Sequence, residues 1–323
     1  MPLTPDQQKA VSNFKRGRNI RVTAVPGAGK TYVILHACQQ VNNKKCLVLA
    51  YNRDLCDATR NAICAMNLTE RVQCYTFHGL ATCLVRPTYD DVALHELLQD
   101  LRSSDAAPAQ RLDADCIIID EAQDLRKSFY ELIPYLVNVR QNMQYMIVGD
   151  ANQMLYDYDD EDPALLQFLE CPNSWFASTR QWAHIHFKHT HRCAPCIARF
   201  VSSAFNVEFC STIEVPGASV SVQTVNTWRD YLVASTVQCV LKEYLNSNTL
   251  DKCAILVPYK KNNAPLRLMI NWLSRMNIPI HVKWVDGQDV RVRKGKLLVG
   301  TWHSSKGTEM ETCIVFGMTE RAM

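Results

Sequence analysis

The chain has 323 residues, of which 47% are hydrophobic and 21% charged, a composition typical of folded globular proteins and not of disordered chains. This length is sufficient for two domains, each with its own core. The formal net charge of +3 at pH 7 is weakly basic, so charge alone neither requires nor excludes a nucleic-acid partner.

Neither a membrane span nor an export signal is evident. No apolar run approaches the roughly 18 residues of a membrane-spanning helix, and the start "MPLTPDQQKA" is too polar for a secretory signal. The 14 cysteines without such a signal favour reduced thiols over a disulfide scaffold. We therefore expect a soluble intracellular protein, nuclear or cytoplasmic, without a membrane partner.

Short apolar runs separated by helical-looking segments organise the first half of the chain. Buried parallel strands read as continuous apolar runs of this kind, so we predict a parallel sheet covered by helices. The runs are "NIRVTAV" (19–25), "KCLVLAY" (45–51), "VQCYTF" (72–77), "DCIIID" (115–120) and "QYMIVGD" (144–150).

The same rhythm restarts near residue 180. Two helix candidates, "CIARFVSSAF" and "TWRDYLVASTVQCVLKEYL", precede the strand candidates "CAILVPY", "KLLVGTW" and "TCIVFGM". This pattern predicts a second α/β unit. We expect two domains, residues 1–180 and 181–323.

The segment "TAVPGAGKTY" (23–32) lies between a strand candidate and a helix candidate. Gly27 and Gly29 allow backbone N–H groups to wrap an anion at a helix N-terminus. Lys30 is placed to reach the β and γ phosphates of a nucleotide, and the Thr31 hydroxyl to bind Mg²⁺. An ordinary glycine-rich turn is the alternative, but the strand and helix around the loop favour a phosphate site. Ala24 stands where the first glycine of the pattern is usual.

Adjacent carboxylates end the apolar run "CIIIDEAQD". Asp120 suits the shell of a Mg²⁺ ion, and Glu121 is placed to polarise the water that attacks the γ-phosphate. Such a pair can also simply cap the next helix. Together with the phosphate loop, the pair indicates a nucleotide-hydrolysing site.

Eight short motifs follow one another along the chain, namely "LTPDQQKAV", "AVPGAGKT", "LAYNRDL", "TFHGL", "IIIDEAQDL", "VGDANQMLY", "HTHRCAP" and "GTWHSSKGTEM". Their order resembles that of superfamily 1 DNA helicases of the UvrD/Rep group, and it is closest to their F-box DNA helicase branch. Each motif is short, but the order is specific, and the matches extend from residue 3 to about 318. In this family alanine commonly opens the phosphate loop, as Ala24 does here.

The resemblance implies a fold, cofactors and partners. We expect two RecA-like P-loop NTPase domains of α/β class, with ATP and Mg²⁺ as cofactors. The implied partner is single-stranded DNA or a forked duplex, with RNA left open, and the implied movement is 3′ to 5′. The spacing between motifs is too short for the large accessory domains of the bacterial relatives.

The resemblance also implies the residues that contact the nucleotide. Gln7 matches the glutamine that reads the adenine edge, although a helix capping box with Thr4 is an alternative reading of the same residue. His191 stands where the family has an aromatic residue that stacks on adenine. The implied nucleotide contacts are Gln7, Ala24, Gly27, Ala28, Gly29, Lys30, Thr31, Tyr32, Asp120, His191 and Glu309.

Four residues are implied in turnover, namely Lys30, Glu121, Gln153 and Arg192. Gln153 resembles the γ-phosphate sensor, and Arg192 matches the arginine that stabilises transition-state charge from the second domain. Glu309 resembles the acidic residue of the family that contacts the nucleotide from that domain.

A nucleic-acid groove is implied by the remaining motifs. Such grooves combine phosphate contacts with aromatic platforms that stack any base, although each single aromatic also has a core-packing alternative. Tyr158 takes the place of a stacking tryptophan, and the basic run "RVRKGK" (291–296) is either a phosphate contact or a solvated turn. The implied groove residues are Tyr51, Asn52, Arg53, Thr76, Phe77, His78, Tyr158, His303, Ser304 and Ser305.

A rival signal lies in "HTHRCAPC", which places His189, His191, Cys193 and Cys196 close together as possible zinc ligands. No second Cys-x2-Cys pair follows, and four ligands so close in sequence would strain a tetrahedral shell. We therefore favour the arginine motif here. The other cysteines lie on apolar runs and are expected in cores.

The C-terminal "TERAM" does not match the last helicase motif, so we expect the second domain to be incomplete. Three hypotheses follow. The first is an ATP-dependent DNA helicase or translocase, and the second is a truncated or non-catalytic module that binds ATP and nucleic acid. The third, another P-loop enzyme such as a small-molecule kinase, leaves "TFHGL", "VGDANQMLY" and "HSSKG" unexplained.

Overall fold

Strands and helices alternate along the described part of the chain. The computed structural model describes residues 2–154, 162–224, 230–259, 263–283, 294–305 and 308–317. The chain divides into two compact units, Met1–Val220 and Ser221–Met323. Within each unit the architecture is α/β with a parallel sheet, which confirms the predicted class of fold and is consistent with a P-loop NTPase domain.

A six-stranded sheet forms the centre of the first unit, in the order β3-β2-β4-β5-β1-β6, with neighbouring strands parallel throughout. The five strands predicted from apolar runs are all present, and β6 is added at one edge. The strands are β1 (Asn19–Ala24), β2 (Cys46–Ala50), β3 (Val72–Thr76), β4 (Cys116–Ile119), β5 (Gln144–Gly149) and β6 (Trp182–Phe187).

Helices cover both faces of this sheet, as a parallel sheet requires. One face packs against α1, α2, α3 and α9, and the other packs against α4, α5, α6 and α7. The helices are α1 (Pro5–Lys15), α2 (Lys30–Gln40), α3 (Arg53–Ala65), α4 (Phe77–Leu84), α5 (Asp91–Ser103), α6 (Lys127–Leu136), α7 (Gln167–Glu170), α8 (Pro172–Trp175) and α9 (Pro195–Phe205).

Strand β2 shows why the central strands are apolar at every position. Leu47 and Leu49 pack into one core and Val48 into the opposite core, because successive side chains point to opposite faces of a sheet. All five residues of β2 are buried. The continuous apolar run in the sequence therefore reflects burial on two faces.

The boundary between the units lies later than the predicted boundary at residue 180. Strand β6 pairs with β1 from Asn19↔Trp182 to Ala24↔Phe187, so it belongs to the first sheet. The short parallel pair β7 (His189–Thr190) and β8 (Cys210–Ser211) follows in the same unit. The sequence does not predict β6, because an edge strand is partly exposed and its alternating histidines break the apolar run.

The second unit contains a four-stranded parallel sheet in the order β10-β11-β9-β12. Its apolar core includes Leu241, Ile255, Leu273 and Val299. Its elements are α10 (Asp230–Asn246), β9 (Cys253–Val257), α11 (Ala264–Arg275), β10 (Ile280–Lys283), β11 (Leu297–Thr301) and β12 (Thr312–Val315). Among the described residues, no helix has both the length and the apolar character that a membrane crossing needs.

We expect Leu49→Ala to lower the free energy of unfolding by about 2–5 kcal/mol, because Leu49 is fully buried and truncation leaves a cavity. Urea denaturation measures the change. The matched control is Val92→Ala, at a position 69% exposed, which should stay within about 0.5 kcal/mol of the parent chain. Equal losses in the two variants would contradict the assignment of Leu49 to the core.

Candidate nucleotide-binding site

The loop between β1 and α2 has the backbone of an anion cradle. Gly27 and Gly29 adopt left-handed conformations, with φ of 70° and 77°. A Cβ atom on Gly27 would lie 2.5 Å from Cβ of Arg192, and one on Gly29 would lie 2.9 Å from Nε2 of Gln7. Both positions therefore need glycine for backbone conformation and for space.

Four motif residues predicted to serve the phosphates, the metal and the attacking water come together at the end of this loop. The Thr31 hydroxyl donates a hydrogen bond to Oδ2 of Asp120 at 3.2 Å. Nζ of Lys30 lies 3.2 Å from Oε1 of Glu121, and both of these side chains are largely buried. Thr31 and Asp120 are thus neighbours although they are far apart in the sequence.

The charged groups of this site shift one another's pKa values. Burial alone would lower the pKa of Lys30. The carboxylates of Glu121, Asp120 and Asp150 outweigh this effect and raise the pKa of Lys30 above its ordinary value. Burial, and next the charge of Glu121, raise the pKa of Asp120 to about 6. The site therefore keeps a charged ammonium beside carboxylates whose ionised forms are disfavoured by burial.

Mg²⁺ suits the groups found here. It prefers oxygen ligands, and the Thr31 hydroxyl and the Asp120 carboxylate provide two that are already in contact. A divalent cation would also stabilise the ionised form of Asp120, which burial disfavours. These two residues are the ones that would hold the metal.

Glu121 adopts a left-handed backbone conformation, with φ of 55° and ψ of 44°, which is uncommon for a residue other than glycine. Its N–H donates to Oδ1 of Asp120 at 2.9 Å. Backbone strain of this kind is concentrated at functional sites, so it is consistent with the catalytic role predicted for Glu121.

The side chain of Gln7 both caps α1 and contacts the phosphate loop. Its side chain completes the capping box with Thr4 at the start of α1, as the alternative reading expected. Its Nε2 also donates to the carbonyl oxygen of Ala28 at 2.9 Å and lies 3.5 Å from Nε2 of His191. The two residues predicted to contact adenine are therefore adjacent, and the adenine contact itself stays a prediction.

The segment around Arg192 lies directly on the phosphate loop. The N–H of His191 donates to the carbonyl oxygen of Gly27 at 2.9 Å. This segment belongs to the first unit, whereas the resemblance placed Arg192 on the second domain. The difference follows from β6 and β7, which carry the chain past the loop within the first unit.

Two of the four possible zinc ligands, His191 and Cys196, contact other groups of the protein. His191 Nδ1 lies 2.9 Å from Oγ1 of Thr212, and Sγ of Cys196 lies 2.7 Å from the carbonyl oxygen of Ala218. In the part of the chain that the structure describes, no three His, Cys, Asp or Glu side chains are arranged to hold a metal ion.

The remaining predicted residues of the site are the nucleotide contacts Ala24, Tyr32 and Glu309 and the γ-phosphate sensor Gln153. Ala24 is buried at the end of β1, and the Tyr32 ring meets His36 edge-on at 4.3 Å. Gln153 lies in the turn Ala151–Gln153 after β5, where its Nε2 donates to Oδ2 of Asp150 at 2.9 Å. Glu309 is exposed and lies in the second unit.

Two predicted groove segments meet at the same end of the first sheet. Residues 51–53 follow β2, and residues 76–78 begin with the last residue of β3. These two strands are paired through Ala50↔Thr76. Asn52 caps α3 by accepting a hydrogen bond from the N–H of Leu55 at 2.8 Å, and Arg53 beside it is exposed. The structure therefore brings these segments together, while their contact with nucleic acid stays a prediction.

Phe77 requires a correction. Its side chain is only 3% exposed and stacks on Phe129 with ring centroids 4.7 Å apart. A ring packed this way in the core presents no free face to a base, so Phe77 is a core residue in this structure. Tyr51 also packs against this core while remaining partly exposed.

His78 and Thr76 also have structural partners. Thr76 caps α4 by accepting a hydrogen bond from the N–H of Gly79 at 3.0 Å. Nε2 of His78 lies 3.1 Å from Oδ1 of Asp91, and Nη1 of Arg126 donates to the other oxygen of Asp91, also at 3.1 Å. Asp91 thus connects a predicted groove residue to the start of α6.

In the second unit, residues 303–305 form a turn after β11. The Ser304 hydroxyl accepts a hydrogen bond from the N–H of Thr301 at 2.9 Å, and the Ser305 hydroxyl donates to the carbonyl oxygen of Trp302, also at 2.9 Å. The His303 side chain and Tyr158 lie outside the described residues, as does the stretch 291–293 of the basic run.

Sequence reasoning missed three polar residues, namely Gln123, Asp150 and Asp91. Nε2 of Gln123 donates to Oε2 of Glu121 at 2.7 Å, and its Oε1 accepts the N–H of Asp150 at 3.0 Å. Asp150 could have been noticed as a polar residue directly after an apolar strand, and Gln123 as a polar residue just after the acidic pair. Asp91 lies in no recognisable motif, so the sequence provides no comparable signal for it.

Comparison with known proteins supports the P-loop class that the fold and the candidate site indicate. A sequence family described as "AAA domain" matches residues 7–159, which contain the phosphate loop, Asp120, Glu121 and Gln153. A "Probable DNA helicase" of Mycoplasma pneumoniae (strain ATCC 29342 / M129 / Subtype 1) is 23% identical over 212 residues, which is 64% of this chain. The match covers 36% of that protein, so it spans about a third of its length.

The fold, the predicted phosphate loop and the paired strand-end carboxylates are consistent with a P-loop NTPase domain. The family match and the similarity to the mycoplasma protein support a helicase-like P-loop superfamily for this chain.

We expect Gly27→Ala to abolish nucleotide binding, because the new Cβ would meet Arg192 and Thr190 at less than 3 Å and the backbone would resist a left-handed conformation. Titration with a fluorescent ATP analogue measures the loss. Gly17→Ala is the matched control, since Gly17 also has positive φ but faces only the end of the Arg180 side chain. That variant should keep its affinity, and an equal loss in both would mean that general destabilisation is responsible.

Asp91 should make the stability of the protein depend on pH in the acid range. The His78 ring, and less strongly Arg126, hold the pKa of Asp91 below its ordinary value of 3.8, against the effect of partial burial. The charged form is thus favoured in the folded state, so its stabilisation is complete above pH 3.8 and is lost as the pH falls through the lowered pKa.

Accordingly, Asp91→Asn should be less stable than the parent chain at neutral pH, and the difference should narrow below pH 3.8. Urea denaturation across this range measures it. Asp57→Asn removes a more exposed carboxylate, paired with Arg60 at 3.6 Å, and should remain close to the parent throughout. A pH-independent loss in Asp91→Asn would contradict a role for the charge.

Proposed function

We propose that this protein is an ATP-dependent DNA helicase or translocase that hydrolyses ATP to move along single-stranded DNA in the 3′-to-5′ direction. The observation that carries the proposal is the convergence of Lys30, Thr31, Asp120 and Glu121 on one phosphate loop. The ordered motifs and the similarity to a "Probable DNA helicase" support the choice of a helicase among P-loop enzymes.

In the proposed reaction, the N–H groups of the loop around Gly27 and Gly29 bind the phosphates of ATP. Thr31 and Asp120 would hold Mg²⁺, which would supply positive charge that favours phosphoryl transfer. Lys30 leaves Glu121 to contact the terminal phosphates.

Turnover then depends on Glu121, Gln153 and Arg192. The Glu121 carboxylate, released from Lys30, accepts the proton of the attacking water. Gln153 senses the γ-phosphate, and Arg192, next to the loop, stabilises the charge that develops in the transition state. Gln7 and His191, whose Nε2 atoms lie 3.5 Å apart, contact the adenine.

The proposed nucleic-acid path runs over the segments after β2 and β3. Arg53 is exposed there and is suited to a phosphate contact, and Tyr51 is partly exposed beside it. In the second unit, His303, Ser304 and Ser305 are proposed to contact nucleic acid and Glu309 to contact the nucleotide. Tyr158 is proposed as a further nucleic-acid contact. Phe77 supports the path from the core.

ATP hydrolysis with and without single-stranded DNA tests the proposal. We expect strong stimulation by DNA, and a fall of about 100-fold or more in Lys30→Ala, because that variant loses the cation nearest the phosphates. Lys127→Ala, at an exposed lysine of α6, is the matched control and should hydrolyse ATP like the parent chain.

Three other outcomes would contradict the proposal of an ATP-driven motor that acts on DNA. ATP-sensitive DNA binding without hydrolysis would indicate a non-catalytic binding module. Hydrolysis indifferent to DNA would indicate a different P-loop enzyme, and stimulation by RNA alone would reassign the partner. Displacement from forked duplexes with a 3′ or a 5′ tail then decides the direction of movement.

A further inference from the structure

Gln123 is a buried glutamine at the centre of the candidate site. Its side chain is fully buried, and its two polar atoms have different partners. Nε2 donates to Oε2 of Glu121 at 2.7 Å, and Oε1 accepts the N–H of Asp150 at 3.0 Å. A backbone N–H can only donate, so the amide oxygen must face Asp150 and the NH₂ group must face the carboxylate. The orientation of the amide is therefore determined by its partners.

We propose that Gln123 is a positioning residue that holds the Glu121 carboxylate and ties it to the turn bearing Gln153. This inference rests on the proposed function, because it assigns Gln123 a part in the same hydrolysis. The turn is held by Asp150, which accepts hydrogen bonds from the N–H of Asn152 at 3.1 Å and from Nε2 of Gln153 at 2.9 Å. One amide thus connects the predicted catalytic base to the predicted phosphate sensor.

The hydrogen bond from Gln123 to Glu121 matters most when Lys30 moves away from Glu121. In the structure Glu121 has Lys30 on Oε1 and Gln123 on Oε2. If the ammonium turns to a phosphate, the bond to Gln123 remains and keeps the carboxylate in its orientation. A general base needs such an orientation, because proton transfer requires hydrogen-bond geometry to the attacking water.

Gly149 provides independent support. A Cβ atom at this position would lie 2.5 Å from Oε1 of Gln123, although the backbone of Gly149 needs no left-handed conformation. The end of β5 is therefore shaped around the Gln123 amide, and space for that amide is a reason for glycine here.

The test compares two buried glutamines that are each replaced by methionine, which is also unbranched and flexible. Gln123→Met removes both contacts at the site. Gln144→Met is the matched control, because Gln144 is also fully buried and bonds to Phe14 and Arg18, but it lies at the opposite end of β5. We expect kcat for ATP hydrolysis to fall about tenfold or more in Gln123→Met with KM changed less than about threefold, and neither to change in Gln144→Met.

A double-variant cycle identifies the route of the effect. If Gln123 acts through Glu121, adding Gln123→Met to Glu121→Gln should lower kcat little further. A full additional loss in the double variant, an unchanged kcat in Gln123→Met, or an equal fall in Gln144→Met would each overturn the proposal.

Amide hydrogen exchange separates this inference from the proposed function, because it needs no turnover. The N–H groups of the turn at residues 150–153 should exchange faster in Gln123→Met than in the parent chain or in Gln144→Met. Unchanged exchange would overturn the connection to Asp150. A parent chain that hydrolyses no ATP but shows the expected exchange would instead remove the proposed function and leave the structural connection in place.

Discussion

Attraction between the Lys30 ammonium and the buried carboxylates around it is the interaction on which the candidate site depends. Asp120, Glu121 and Asp150 gather near this side chain, and burial raises the pKa values of Asp120 and Asp150 above their ordinary values. The ammonium opposes this rise, while the carboxylates raise the pKa of Lys30 despite its burial. A phosphate that attracts Lys30 would therefore change the charge balance of every acid in the group.

The parallel sheet determines where these charges can be. Because all six strands run the same way, their carboxyl ends meet at one edge of the sheet, and the segments that follow β1, β4 and β5 share that edge. Two predicted groove segments lie at the carboxyl ends of β2 and β3, at the same edge. Asp91 joins His78 to Arg126, just after the acidic motif, so a physical connection between the two regions exists in the fold.

Several motif residues have a structural task besides the predicted one. Gln7 closes a capping box, and Asn52 and Thr76 cap the helices that follow their strands. Polar residues at helix starts satisfy N–H groups that the helix leaves free, so a motif at a strand–helix junction serves folding and binding together. Phe77 shows the limit of reading contacts from a motif, since its ring is used entirely by the core.

The sequence by itself determined the α/β class, the five central strands of the first sheet and the residues of the phosphate loop, because continuous apolar runs and glycine-containing turns are local signals. It could not predict β6, whose exposed histidines hide an edge strand, or the attachment of Arg192 to the first unit. Only the tertiary structure placed Gln123 between Glu121 and Asp150 and Asp91 between His78 and Arg126. These contacts join residues on different strands and helices, and their partners are decided by how the elements pack and not by spacing along the chain.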